Sequence, residues 1–161
     1  MIILYYSRHG FTKKCAEIIM EHLQGSGEIR MQDMAETGSW TVASGESVVM
    51  GFPIYKGCLP SAVKKYLDSH RAELTAGPLA VFLSALSSRK TAEEYLNSLL
   101  PPEILKNIQI KGFFGGALVW ENLSFIEKIL LRMINGLQGN VSNLDLQEIH
   151  RFAESLQGMI K

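Results

Sequence analysis

The stretch "YYSRHGFTKKCAEIIMEHL", Tyr5–Leu23, changes its hydrophobic period part-way along. Its first residues close a near-continuous apolar run, Ile2–Tyr6, the pattern of a parallel strand covered on both faces. From Thr12 onward Cys15, Ile18, Ile19 and Leu23 recur at helical spacing, and Gly25-Ser26-Gly27 supplies a stop. The turn between strand and helix holds two hydroxyls, Ser7 and Thr12, two side chains that can be cationic, Arg8 and His9, then Gly10 and Phe11. A helix amino terminus has unbonded N–H groups and about half a positive charge, so it favours an anion. Gly10 lets the backbone curl round such a ligand without a Cβ in the way. A plain strand-to-helix connection with a hydroxyl N-cap has the same composition, so the turn alone leaves both readings open.

Working outward, Glu28 to Met34 reads as a short second strand and Ser47 to Phe52 as a third. Pro78 to Ser84 reads as a fourth strand, and Ile108 to Trp120 as a fifth that carries three glycines. Helices are predicted from Leu59 to Leu74, Thr91 to Leu100, Ser124 to Leu137 and Leu144 to Met159, with Pro101–Pro102 stopping the second. "QGNVSN", residues 138–143, reads as a turn. No repeat or linker divides the chain, so residues 1–161 are expected to form one domain. Strands alternating with helices imply right-handed βαβ units and a mostly parallel sheet covered on both faces. The ligand crevice of such a sheet lies beyond the carboxyl ends of its strands, where the winding reverses.

Composition narrows the classes. The 161 residues are 47% hydrophobic and 20% charged, with 16 basic and 16 acidic side chains. A net charge of zero provides no field for nucleic acid or for an anionic membrane. Cys15 and Cys58 are isolated thiols, and with four histidines they suggest neither a disulfide framework nor a metal site. The chain opens on a strand without a basic leader, and no apolar run reaches roughly 18 residues, so a cytoplasmic location is expected.

Three loops fall at the crevice. The first, Ser7 to Thr12, has neither G-x-x-x-x-G-K-[ST] nor G-x-G-x-x-G, so a single phosphate group is the inferred ligand. The second, Gly51 to Gly57, brackets Pro53, Ile54, Tyr55 and Lys56 with glycines. A rigidly held Tyr55 offers a flat face for stacking, and Lys56 a charge beside it. A surface turn whose tyrosine packs on a neighbouring helix is the competing reading. The third loop, Ser84 to Lys90, begins with Ser84, Ala85, Leu86, Ser87 and Ser88, small residues that leave backbone polar groups accessible to the edge of a heterocycle, although serines are common in any loop. Together the loops describe a site for a phosphorylated planar molecule.

This arrangement resembles the flavodoxin family, itself an instance of the switch-point rule. Ser7, Gly10 and Thr12 match that family's S-x-x-G-x-T phosphate loop. The resemblance implies a three-layer α/β sandwich around a five-stranded parallel sheet in the order 2-1-3-4-5, with FMN as cofactor. It also implies that Ser7 through Thr12 wrap the phosphate, that Pro53 through Gly57 border the isoalloxazine, and that Ser84 through Ser88 approach its other edge. "SRHGFT", "VVMGFPIYKG" and "GFFGGALVW" followed by "FIEKILLRMI" look most like the menaquinone-dependent protoporphyrinogen oxidase branch. Those oxidases are expected to carry a longer basic insertion after strand four, where "SSRKTAEEYLNSLLPPEIL" is compact. That departure weakens the porphyrinogen expectation and leaves the FMN expectation standing.

Small flavodoxin carriers usually have strongly acidic surfaces, which zero net charge does not supply. An FMN-dependent oxidoreductase, with a quinone-like acceptor or a redox partner protein, is therefore preferred over an electron carrier. A flavin-free scaffold on the same fold is the third possibility. A phosphoacceptor receiver is rejected, because Ser7–Arg8 and Gly51–Phe52 stand where it needs aspartates. Tyr55 by stacking and Lys56 by charge would tune the ring in opposite directions, and no catalytic acid or base is assigned. Cys15 is expected in the core and His22, His70 and His150 on the surface; Cys58, directly after the aromatic loop, could approach the ring, a small buried side chain at a helix start being preferred. The apolar face of Phe125 to Ile134 could dock a membrane or subunit, burial against the sheet being preferred.

Overall fold

The computed structural model describes residues 1–36, 42–118 and 141–160. Its central sheet contains β1 (Ile2–Tyr5), β2 (Arg30–Asp33), β3 (Val48–Pro53), β4 (Leu79–Ser84) and β5 (Ile108–Phe113). All neighbours are parallel, in the order β2-β1-β3-β4-β5. The sheet order and the doubly wound form agree with the sequence expectation. β1, β3 and β4 are buried along their whole length, which is why they read as unbroken apolar runs.

Alternate residues of these strands feed two cores. On one face Leu4, Met50, Phe52, Val81 and Leu83 meet α2 (Ser61–Ser69), α3 (Arg71–Ala76), α4 (Arg89–Leu99) and α5 (Pro102–Asn107). On the other, Ile3, Tyr5, Val49 and Phe82 meet α1 (Phe11–His22) and α6 (Leu146–Leu156) through Cys15, Ile19, Ile149 and Phe152. Phe82, Phe114 and Phe152 form an aromatic cluster with centroids 4.8–6.0 Å apart. Such pairs contribute roughly 0.5–1.5 kcal/mol each beyond their burial. Gly51 exists for this cluster: a Cβ there would lie 1.9 Å from the Phe82 ring.

Several boundaries differ from expectation. The helix predicted from Leu59 to Leu74 is two helices, broken at His70, whose φ of −122° leaves the helical region. Pro101–Pro102 does stop α4, but Pro102 also begins α5, where its missing N–H costs nothing. Asn107 ends α5 by donating from Nδ2 to the Leu74 and Gly77 carbonyls at 2.8 Å each, tying it to the end of α3. The fifth strand leaves the sheet after Phe113. Its continuation β6 (Gly115–Leu118) pairs antiparallel with β7 (Val141–Leu144), so residues 141–143, expected in a turn, are strand. The last helix begins at Leu146, with Asp145 as its N-cap, and not at Leu144. The helix expected from Ser124 to Leu137, Val119–Trp120 of the fifth strand and residues 138–140 of the turn lie outside the described residues.

Candidate functional site

The carboxyl ends of β1, β3 and β4 lie side by side, so the three loops that follow them meet. Gly10 precedes α1 in the left-handed region, φ 82°, which glycine adopts without steric cost. Among the described residues no side chain caps the helix, and its first internal bond runs from the Lys14 N–H to the Gly10 carbonyl. The amides of the first turn therefore point at whatever lies before the helix. Gly10 thus stands where the plain-connection reading placed a hydroxyl N-cap. Thr12 is buried, and its Oγ1 lies 2.7 Å from the Ser84 Oγ at the end of β4. One hydroxyl hydrogen makes that bond; the other is left to donate elsewhere. Ser7 is half-buried, Arg8 and His9 are exposed, and Phe11 packs on the α1-side core.

After β3 the chain makes a two-residue hairpin. Tyr55 and Cys58 exchange backbone bonds of 3.1 and 3.0 Å around Lys56 (φ 51°) and Gly57 (φ 75°). Two positive φ values in succession are those of a type I′ turn. The turn fixes Tyr55, which is 37% exposed and meets the His9 ring edge-on at a centroid distance of 6.2 Å. Burial raises the Tyr55 phenol above its usual range; Tyr6 adds to the rise, while Arg8 opposes it by charge and through its backbone amide. Pro53 is inside β3 opposite Ser84, and Ile54 is packed in the core, so neither presents its side chain freely. Cys58, expected to be buried, is exposed. It borders a cleft of about 450 Å³ formed by Leu59, Lys64, Leu67, Leu99 and Pro101.

The loop after β4 is anchored at both ends. The Ala85 amide donates to the Gly115 carbonyl at 2.7 Å, and Ser88 caps α4 by accepting from the Thr91 amide at 3.2 Å. Between them Leu86 is exposed, while the Ser87 Oγ is buried without a hydrogen-bond partner among the described residues. An orphaned buried hydroxyl in this loop is what a donor awaiting a polar ligand edge would look like. Gly116 allows β6 to lie directly on the loop, since a Cβ there would stand 2.7 Å from the Ala85 carbonyl carbon. Arg89 begins α4 and reaches Glu148 of α6 at 2.8 Å, with its guanidinium 5.2 Å from the centre of the Phe113 ring.

Sequence reasoning missed Gly115 and Gly116 as supports of the third loop. It also missed Tyr95, whose ring a Cβ on Gly57 would approach to 3.3 Å. The glycines of "GFFGGALVW" were the available signal, because glycine in a strand often marks close backbone approach. Among the described residues no cluster of three or more histidine, cysteine, aspartate or glutamate side chains could hold a metal. No described helix is long and apolar enough to cross a membrane.

A parallel sheet in this order, wound on both faces, defines a flavodoxin-like α/β protein. The chain belongs to the flavodoxin domain family, which matches residues 2–145. It is 26% identical over 173 residues to the protoporphyrinogen IX dehydrogenase (quinone) of Leishmania major, covering 98% of this chain and 74% of that protein. A solved NADH:FMN oxidoreductase in its apo form shares the fold at a TM-score of 0.61 and 13% identity, over 99% of this chain and 89% of that one. A short-chain flavodoxin associated with a bacterial microcompartment does so at 0.58 and 15%, over 99% and 97%.

Proposed function

We propose that this chain binds FMN across the three loops and acts as an oxidoreductase that passes electrons to a quinone-class acceptor. The observation that carries the proposal is convergence: Thr12 bonds to Ser84, and His9 meets Tyr55, so all three loops are tied together at one crevice. The open amides of α1, with the Ser7 and Thr12 hydroxyls, would hold the phosphate; Arg8 and His9 would add charge. Pro53 through Gly57 would form one wall, with Tyr55 against the ring and Lys56 beside it. Ala85 and Leu86 would form the other wall, with the Ser87 and Ser88 hydroxyls on its polar side. FMN, when bound, supplies the electron or hydride transfer, and the protein orients and tunes it. The buried Ser87 hydroxyl supports a polar ring edge at this loop, since among the described residues it has nothing to bond. The name of the Leishmania relative supports a quinone acceptor and makes a porphyrinogen the donor to try first.

Anaerobic reoxidation of the FMN-loaded, chemically reduced protein by a soluble quinone tests the proposal. The expected result is a rate that rises with quinone concentration and steady turnover when a donor is supplied. Flavin reoxidation indifferent to quinone, with transfer only to an added redox protein, would establish a carrier instead.

A further inference from the structure

His22 closes α1 and His150 stands within α6, and the two helices bring their imidazoles together. The Nδ1 atoms are 3.1 Å apart, with ring centroids at 5.2 Å and planes at 66°. One Nδ1 donates to the lone pair of the other, the direction set by the tautomer each ring holds. The proposed flavin site does not use this exposed contact. Its geometry is that of two nitrogens ready to share an ion. With bonds of about 2.0–2.1 Å, nitrogens on one metal stand about 3.3 Å apart at a tetrahedral angle and about 2.9 Å at a right angle. The observed separation falls between the two.

We propose that His22 and His150 form a surface site for one borderline transition-metal dication of the zinc or nickel class. Metal sits between the rings and bonds to both Nδ1 atoms as the shared proton moves to the donor ring's own Nε2, and it takes water in its remaining positions. Hard cations such as magnesium and calcium prefer oxygen ligands and do not compete. The last turn of α1 carries the negative end of the helix dipole, which favours a cation at His22. Both histidines stand on helices held by the same core, through Ile19 on α1 and Ile149 and Phe152 on α6. The ligands are thus prearranged, and bound metal clamps α1 to α6.

The test is calorimetric titration of the full chain with zinc or nickel, with thermal melting in parallel, at about pH 7.5 and about pH 5.5. One equivalent is expected at the higher pH, with a melting temperature that rises with metal concentration, and loss of both effects at the lower. His22→Gln and His150→Gln should each weaken binding about tenfold or more, whereas Cys58→Ser should leave it unchanged. Copper(II) bound to the unaltered chain should show magnetic coupling to two nitrogens, a readout that needs no variant. Uptake equal in the double glutamine variant, dependence on Cys58, or a copper signal without paired nitrogens would each overturn the site. No measurement here involves flavin, so its outcome is independent of the FMN proposal.

Discussion

Thr12 on α1 and Ser84 at the end of β4 share a hydroxyl–hydroxyl hydrogen bond of 2.7 Å, with both side chains buried. This bond locks the first loop to the third before any ligand arrives. Thr12→Val would strand the Ser84 hydroxyl in the core, at about 1–3 kcal/mol. Removing both hydroxyls should cost less than the sum of the single changes, by roughly 1 kcal/mol. Urea unfolding of the flavin-free single and double variants measures this; strictly additive losses would contradict the coupling.

Gly51 sets the spacing between β3 and the aromatic cluster. Gly51→Ala should destabilise by about 1–3 kcal/mol through overpacking against Phe82. Adding Phe82→Leu should recover part of that loss, and thermal melts of the two variants compare them.

Lys56 occupies the left-handed region at φ 51°, which a long side chain adopts at a cost. Lys56→Asn creates an Asn-Gly type I′ turn and should stabilise the flavin-free protein by about 0.5–1 kcal/mol. The same change removes a positive charge from beside the proposed ring. The midpoint potential of bound FMN should therefore become more negative, as a redox titration would show. An unchanged potential would place Lys56 away from the flavin.

The two cysteines should differ sharply in reactivity. Burial pushes the Cys15 thiol up to about 12, while Cys58 is exposed. One thiol per folded chain should react with a disulfide reagent at neutral pH, and the second only on unfolding. The sign for stability follows from the raised value. Between the ordinary thiol range near 9 and about 12 the folded chain holds a proton that the unfolded chain has released, so stability falls as pH rises through that window. Cys15→Ala should flatten this alkaline decline even if it lowers stability at pH 7.

Much of the fold was legible in local pattern. Ile2–Tyr5 and Leu79–Ser84 lie in the middle of the sheet, and burial on both faces writes an unbroken apolar run that needs no partner to be recognised. The break at His70 was hidden because Val63, Tyr66, Leu67 and Leu74 hold a helical period across it. Pro102 carries no local sign of α5, because the same residue that ends one helix suits the first position of the next. β6 and β7 were not recognisable as a pair, since their register joins residues more than twenty positions apart. The same limit applies at the site. Ser7, Gly10 and Thr12 could be picked out from spacing, but that Thr12 bonds across 72 positions to Ser84, and not to its own helix, is a product of the tertiary fold.

The central claim is that the turn at Ser7–Thr12 holds the phosphate of FMN. Equilibrium titration of the flavin-free chain with FMN and with riboflavin, followed by flavin fluorescence, tests it most directly. The account predicts one FMN per chain with strong quenching, and riboflavin binding weaker by about two orders of magnitude or more, since the charged phosphate contacts are lost. Absence of FMN binding, or riboflavin binding as tightly as FMN, would contradict it.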